Sequence, residues 1–344
     1  MRIVPGASPV CSATSLMLSP SAIDSAIVTG TDDATGRAHP RRPAIRSQGV
    51  NKVLITGATG YIGGRLAPAL LQRGLHVRCL ARDPSRATLP DDAEVVQGDV
   101  LQERTLGPAL EDIDVAYYLV HSMGGDDGAF AQRDRTGAET FGRVASAAGV
   151  RRVVYLGGLE GGDSEHLRSR EEVAGILAAA VPDTVHARAA MVIGAGSASF
   201  LILRHLVERL PAMVCPRWID TRTQPIAIRD VLGALAALAD PALPATSEVQ
   251  LGGADVLSYR EMMQRFAVAA GRRAPLVVRV PVLTPRLSSY WLGLVTPVDI
   301  GVARPLVQGL SAEMLVRTAP PAGINDAPLG FDDAVREALA EDPG

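Results

Sequence analysis

The chain has 344 residues, 47% of them hydrophobic, and a formal net charge of −3. That much apolar material can bury a large core. The near-neutral, slightly acidic balance excludes a basic face for nucleic acid and a polybasic membrane patch. The most apolar late stretch, Leu287 to Val295, is too short to cross a bilayer.

Residues 1–50 mix Ser, Thr, Ala, Pro and Gly around a basic patch, His39 to Pro43, and show no hydrophobic period. They read as a disordered tail without a compact apolar signal run. From Lys52 a regular alternation begins. Strands are predicted at Lys52–Thr56, His76–Ala81, Ala93–Gln97, Val115–Val120, Arg152–Leu156 and Thr184–Arg188. Helices are predicted between them at Tyr61–Gln72, Leu101–Leu110, Gly128–Ala148 and Glu165–Ala180. Short apolar strands alternating with helices predict an α/β fold. Its core is a doubly wound parallel sheet, a Rossmann fold. After about residue 190 the rhythm weakens. Helices are expected at Ser197–Arg209, Arg229–Ala239 and Tyr259–Ala270, with short strands at Thr223–Ala227 and Glu248–Leu251. The expected division is a nucleotide-binding domain over 51–190 and a smaller C-terminal lobe over 191–344, covering the carboxyl ends of the strands where ligands bind.

The strongest motif is Gly57-Ala58-Thr59-Gly60-Tyr61-Ile62-Gly63, which follows a strand and opens a helix. That context makes it a dinucleotide loop. Gly57 permits the turn, Gly60 lets the backbone approach a pyrophosphate, and Gly63 lets helix and strand pack closely. The helix N-terminus offers N–H groups and partial positive charge. The second strand ends at Arg82, where an arginine favours a 2′-phosphate and hence NADPH. Asp83, one residue on, keeps NADH open as the second choice. Asp99 and Val100 are expected beside the adenine, with Asp99 also capping the next helix. Val120, closing the fourth strand, is counted with the cofactor-binding residues.

Several blocks resemble the atypical short-chain dehydrogenase/reductases, closest to the NmrA-like and YbjT-like NAD(P)H-binding branch. They are Ala116 to Met123, Tyr155 to Leu159, His166 to Val173 and Ile193 to Phe200, with later stretches at Pro216–Trp218, Gln224–Asp230 and Leu283–Trp291. The resemblance covers about residues 51 to 315. It implies a Ser or Thr followed by a Tyr and a Lys four residues apart. This chain departs from that pattern. Gly157-Gly158 stands at the serine, His166 at the tyrosine and Arg170 at the lysine. Lys52 is the only lysine in the chain, so no standard dyad exists.

Two readings follow. In one, His166 is a substitute acid with Arg170 as the ribose-binding cation, and His121, after the fourth strand, is a second candidate near the nicotinamide. The chain is then an NADPH-dependent oxidoreductase acting by hydride transfer on a small carbonyl or quinone-like substrate. In the other, the protein senses NADPH and acts through a regulatory protein partner. His166 is then an exposed helical histidine and His121 a polar strand-end residue. Cys11, Cys79 and Cys215 have neither metal nor disulfide spacing, so no metal is expected and a cytoplasmic location is.

Overall fold

The structure is a computed structural model, and it describes residues 52–121, 129–160, 165–240, 243, 247–279 and 311–342. The expected tail over 1–50 and the Leu283–Trp291 block lie outside these residues.

The first strand, β1 (Lys52–Thr56), buries Val53 and Ile55 on one face and Leu54 on the other. A strand covered on both faces needs an unbroken apolar run, which is why it lacks alternation. α1 (Tyr61–Leu71) follows the glycine loop. Then come β2 (His76–Ala81), β3 (Glu94–Gln97), α2 (Glu103–Leu110), β4 (Val115–Tyr118) and α3 (Ala129–Ala147). β5 (Arg152–Gly158), α4 (Glu165–Ala180) and β6 (Thr184–Ala189) complete the regular part. β1 pairs in parallel with both β2 and β4, so β1 is central and the chain winds outward to either side.

Beyond it lie β7 (Val192–Ile193), α5 (Ala198–Arg209), β8 (Ala212–Cys215), β9 (Arg222–Thr223), β10 (Ile226–Ala227) and α6 (Ile228–Ala237). Next are β11 (Glu248–Leu251), β12 (Leu257–Ser258), α7 (Tyr259–Ala269), β13 (Leu276–Arg279) and the helix α8 (Phe331–Glu341). Among the described residues the main sheet has seven strands in the order β11-β6-β5-β4-β1-β2-β3, all parallel.

Three differences from the sequence reading have physical causes. Glu248–Leu251, expected as a strand of the lobe, pairs with β6 and becomes the outer strand of the main sheet. The strand expected over Thr223–Ala227 is split, because Pro225 between the halves has no N–H to donate. The helix expected from Leu101 starts at Glu103, and Asp99 does not cap it. Instead the Asp99 carboxylate accepts from Leu101 N at 3.0 Å, and Thr105 Oγ1 accepts from Asp99 N at 3.0 Å. These local bonds hold a turn that competes with the helix.

Three buried clusters hold the fold. Val53, Ile55, Leu66, Leu70 and Leu235 fill the face under α1 and α6. Leu54, Tyr118, Phe141 and Leu177 fill the face under α3 and α4. Phe200, Met262, Phe266, Phe331 and Val335 bind α5, α7 and α8 to one another. Each fully buried side chain of this size contributes about 1.5–3 kcal/mol. Local signals place the ends of these helices. Ser197 caps α5 by accepting from Phe200 N at 3.1 Å. Ser258 and Glu261 form a capping box at α7.

Candidate nucleotide site

The site is built where the carboxyl ends of β1, β2, β3 and β4 meet the start of α1. Gly57 has φ +71°, and a Cβ there would stand 2.7 Å from Leu119 O. Only glycine meets both conditions, the left-handed backbone and the close approach to the segment after β4. Gly63 is equally constrained: its Cβ would lie 2.3 Å from Gly57 O. α1 therefore packs directly on the loop, as the spacing predicts. Gly60 is exposed, extended and offers no side-chain cap. The N–H groups of the first turn have no intrahelical acceptor, so the end of α1 is open to an anion.

This corner forms a cleft of about 480 Å³. The loop contributes Gly57, Thr59 and Gly60; β2 contributes Leu80, Ala81 and Arg82. Gly98 to Leu101 follow from the end of β3, and Tyr118 to His121 from β4. α3 closes it with Arg133 and Asp134. Thus Gly57, Thr59, Gly60, Arg82, Asp99, Val100, Val120 and His121, all singled out in the sequence, come together at one cleft.

The remaining candidates sit differently. Gly63 and Ile62 are packing residues: Ile62 lies against the core under α1. The Tyr61 side chain lies beside Gly194, so close that a Cβ there would be 2.4 Å from Tyr61 Oη. The Arg65 guanidinium lies 4.2 Å above the Tyr61 ring and donates to Ala195 O at 3.0 Å. Neither Tyr61 nor Ile62 is among the residues that line the cleft. Arg170 does not line the cleft. It is half-buried under the end of β5, with Nη1 3.5 Å from Leu156 O and Nε buried without a partner. His166 lies on the first turn of α4, and its side chain is outside the described part. Lys52 pairs with Glu94 at 3.1 Å at the start of β1, the far end of the strand from the cleft.

The side-chain charges at the end of β2 are divided. Asp83 is engaged locally: its Oδ1 accepts from Ser85 N at 3.1 Å and Ser85 Oγ at 2.6 Å, capping a short turn over Pro84–Arg86. Arg82 is exposed on the cleft wall, and its carbonyl oxygen accepts from Gln97 Nε2 at 3.3 Å. The groups present fit a dinucleotide: an open helix end, two glycines whose side chains would obstruct the loop, and a cation at the ribose position.

Tyr155, a core residue of β5, is buried against Tyr118 and His186 at ring-centroid distances of 6.2 and 5.1 Å. Beside it Arg188 is buried and held by Glu171 and by Glu248 at 2.8 Å, which ties α4 and β11 to β6. Among the lining residues that the sequence reading did not put forward as site residues are Leu101, Leu119, Arg133 and Asp134. Arg133 lies on an amphipathic helix, where it reads as an ordinary solvent-face arginine.

Comparison with known proteins agrees with this geometry. Residues 57–206 match the NAD(P)H-binding family. A 3 beta-hydroxysteroid dehydrogenase/Delta 5-->4-isomerase of Mycobacterium tuberculosis is 32% identical over 115 residues, 31% of each chain. The match therefore spans about a third of that relative. A ceramide reductase of Caulobacter vibrioides is 28% identical over 67% of this chain and 73% of its own. Among solved structures, the Citrobacter sp. triphenylmethane reductase complexed with NADP(H) superposes with a TM-score of 0.66 at 18% identity, covering 83% of this chain and all of that one. The fold is the same, and the resemblance drawn from the sequence blocks is borne out. Among the described residues no helix is long and apolar enough to cross a membrane.

Proposed function

We propose that this chain, whose residues 57–206 match the NAD(P)H-binding family, is a reductase of the atypical short-chain dehydrogenase/reductase type that uses NADPH to reduce a small carbonyl or quinone-like acceptor. The observation that carries the reading is the cleft itself. The open end of α1 and Arg82 share one cleft, while the Asp83 carboxylate is engaged by Ser85. The first turn of α1 would hold the phosphates, and the guanidinium of Arg82 would pair with the 2′-phosphate. NADPH, when bound, supplies the hydride. To His121, which lines the cleft after β4, this reading gives the role of proton donor to the acceptor oxygen. The reductase names among the similar proteins support a reductive direction.

The test is NADPH oxidation by purified protein against a panel of quinones and aldehydes, with binding followed by NADPH fluorescence. Oxidation with at least one acceptor, reduced in His121→Ala, is the expected result. Tight NADPH binding without turnover on any acceptor overturns the enzyme reading. It leaves the sensor, which the missing Tyr–Lys dyad favours.

A further inference from the structure

α3 carries three arginines, and the structure treats them differently. Arg135 pairs with Glu172 at 2.6 Å and Arg143 pairs with Glu103. Arg133 is exposed, lines the nucleotide cleft, and joins no ion pair among the described residues. Its position follows from Gly137, one turn on. A Cβ at Gly137 would be 2.9 Å from Tyr118 Oη and 3.3 Å from Val100 Cγ2. Lacking that side chain, α3 settles onto Val100. Residues four apart lie on one helix face, so Arg133 is carried to the wall that Val100 and Leu101 form after β3.

That wall belongs to the adenosine half of the site. The ribose of the adenosine is read at the end of β2, and β3 is the next strand outward. The helix end contributes only about half a positive charge, whereas NADPH carries a pyrophosphate and a 2′-phosphate. A planar, permanently charged guanidinium at this wall can lie against a purine face.

We propose that Arg133 is a second cationic group of the nucleotide site, with its guanidinium laid against the adenine ring. The assignment rests on the NADPH reading above and adds a division of labour. Arg82 serves the 2′-phosphate, which only NADPH has. Arg133 serves the adenine, which NADPH and NADH share.

The experiment titrates NADPH and NADH into wild type, Arg133→Ala and Arg133→Lys by fluorescence, with melting temperatures confirming the fold. Arg133→Ala is expected to weaken both nucleotides equally, by about five- to tenfold. Arg133→Lys keeps the charge but loses the plane, and stays clearly weaker than wild type. Unchanged affinity in the alanine variant, a loss confined to NADPH, or full recovery by lysine would each overturn the stacking assignment. A wild type that binds neither nucleotide overturns the site reading, and this assignment with it.

Discussion

His186 Nε2 lies where a side chain on Gly157 would begin: an ideal Cβ on Gly157 would stand 2.1 Å from it. The two residues come from neighbouring parallel strands, and the imidazole is buried against Tyr155. Glycine at 157 is therefore a packing requirement of the β5–β6 pair. Gly157→Ala must push a buried ring aside and is expected to cost about 1–3 kcal/mol in chemical denaturation. In a His186→Ala background the same substitution should cost much less. Equal costs in the two backgrounds would show that the residues do not compete for this space.

The same burial sets a pH dependence. Burial, and secondarily the Arg188 guanidinium, hold the His186 imidazole neutral and lower its pKa to about 4. The unfolded chain takes this proton near pH 6.5, roughly the ordinary histidine value. Between those limits the unfolded state binds more protons, so stability is lost as pH falls. The loss from this one group approaches about 3 kcal/mol at the lower end. Denaturation at neutral and mildly acid pH measures it. His186→Gln should flatten that part of the slope, and an unchanged slope in the variant would place the protonation elsewhere.

Two glycines of the loop should fail in different ways. At Gly63 a Cβ would meet backbone, 2.3 Å from Gly57 O and 2.9 Å from Ala58 Cα. Gly63→Ala should therefore destabilise the fold by about 2 kcal/mol or more. At Gly60 the neighbour is Gly57 O at 3.1 Å and the position is exposed. Gly60→Val should cost about 1 kcal/mol or less and yet abolish nucleotide binding, because its side chain covers the helix end. Melting curves beside NADPH titrations separate the two. Normal NADPH affinity in Gly60→Val would remove the loop from the site.

Arg82 should decide between nucleotides. A charge-assisted bond is worth about 1.5–3 kcal/mol, so Arg82→Ala should weaken NADPH by about ten- to a hundredfold. NADH has no phosphate there and should change little. Asp83 is already bound to Ser85, so removing Arg82 should not by itself create a strong NADH site. Equal loss of both nucleotides, or a wild-type preference for NADH, would defeat the assignment.

The first six strands and the glycine loop were legible from the sequence because their causes are local. A strand buried on both faces must be an apolar run, as in Val53–Ile55, and a loop that turns at φ +71° and then meets backbone at Gly63 needs glycine at both places. Arg82 was legible too, since it immediately follows a strand whose end the pattern marks. Partnership at long range was not. Glu248–Leu251 has the pattern of any short strand, and only its pairing with β6 makes it part of the main sheet. Tyr61 sits inside the loop motif, yet it does not line the cleft, and its side chain lies beside Gly194. Arg133 and His186 look ordinary in sequence. Their places against the Val100 wall and over Gly157 depend on how α3 and β6 pack, and periodicity does not encode which partner a buried or exposed face will meet.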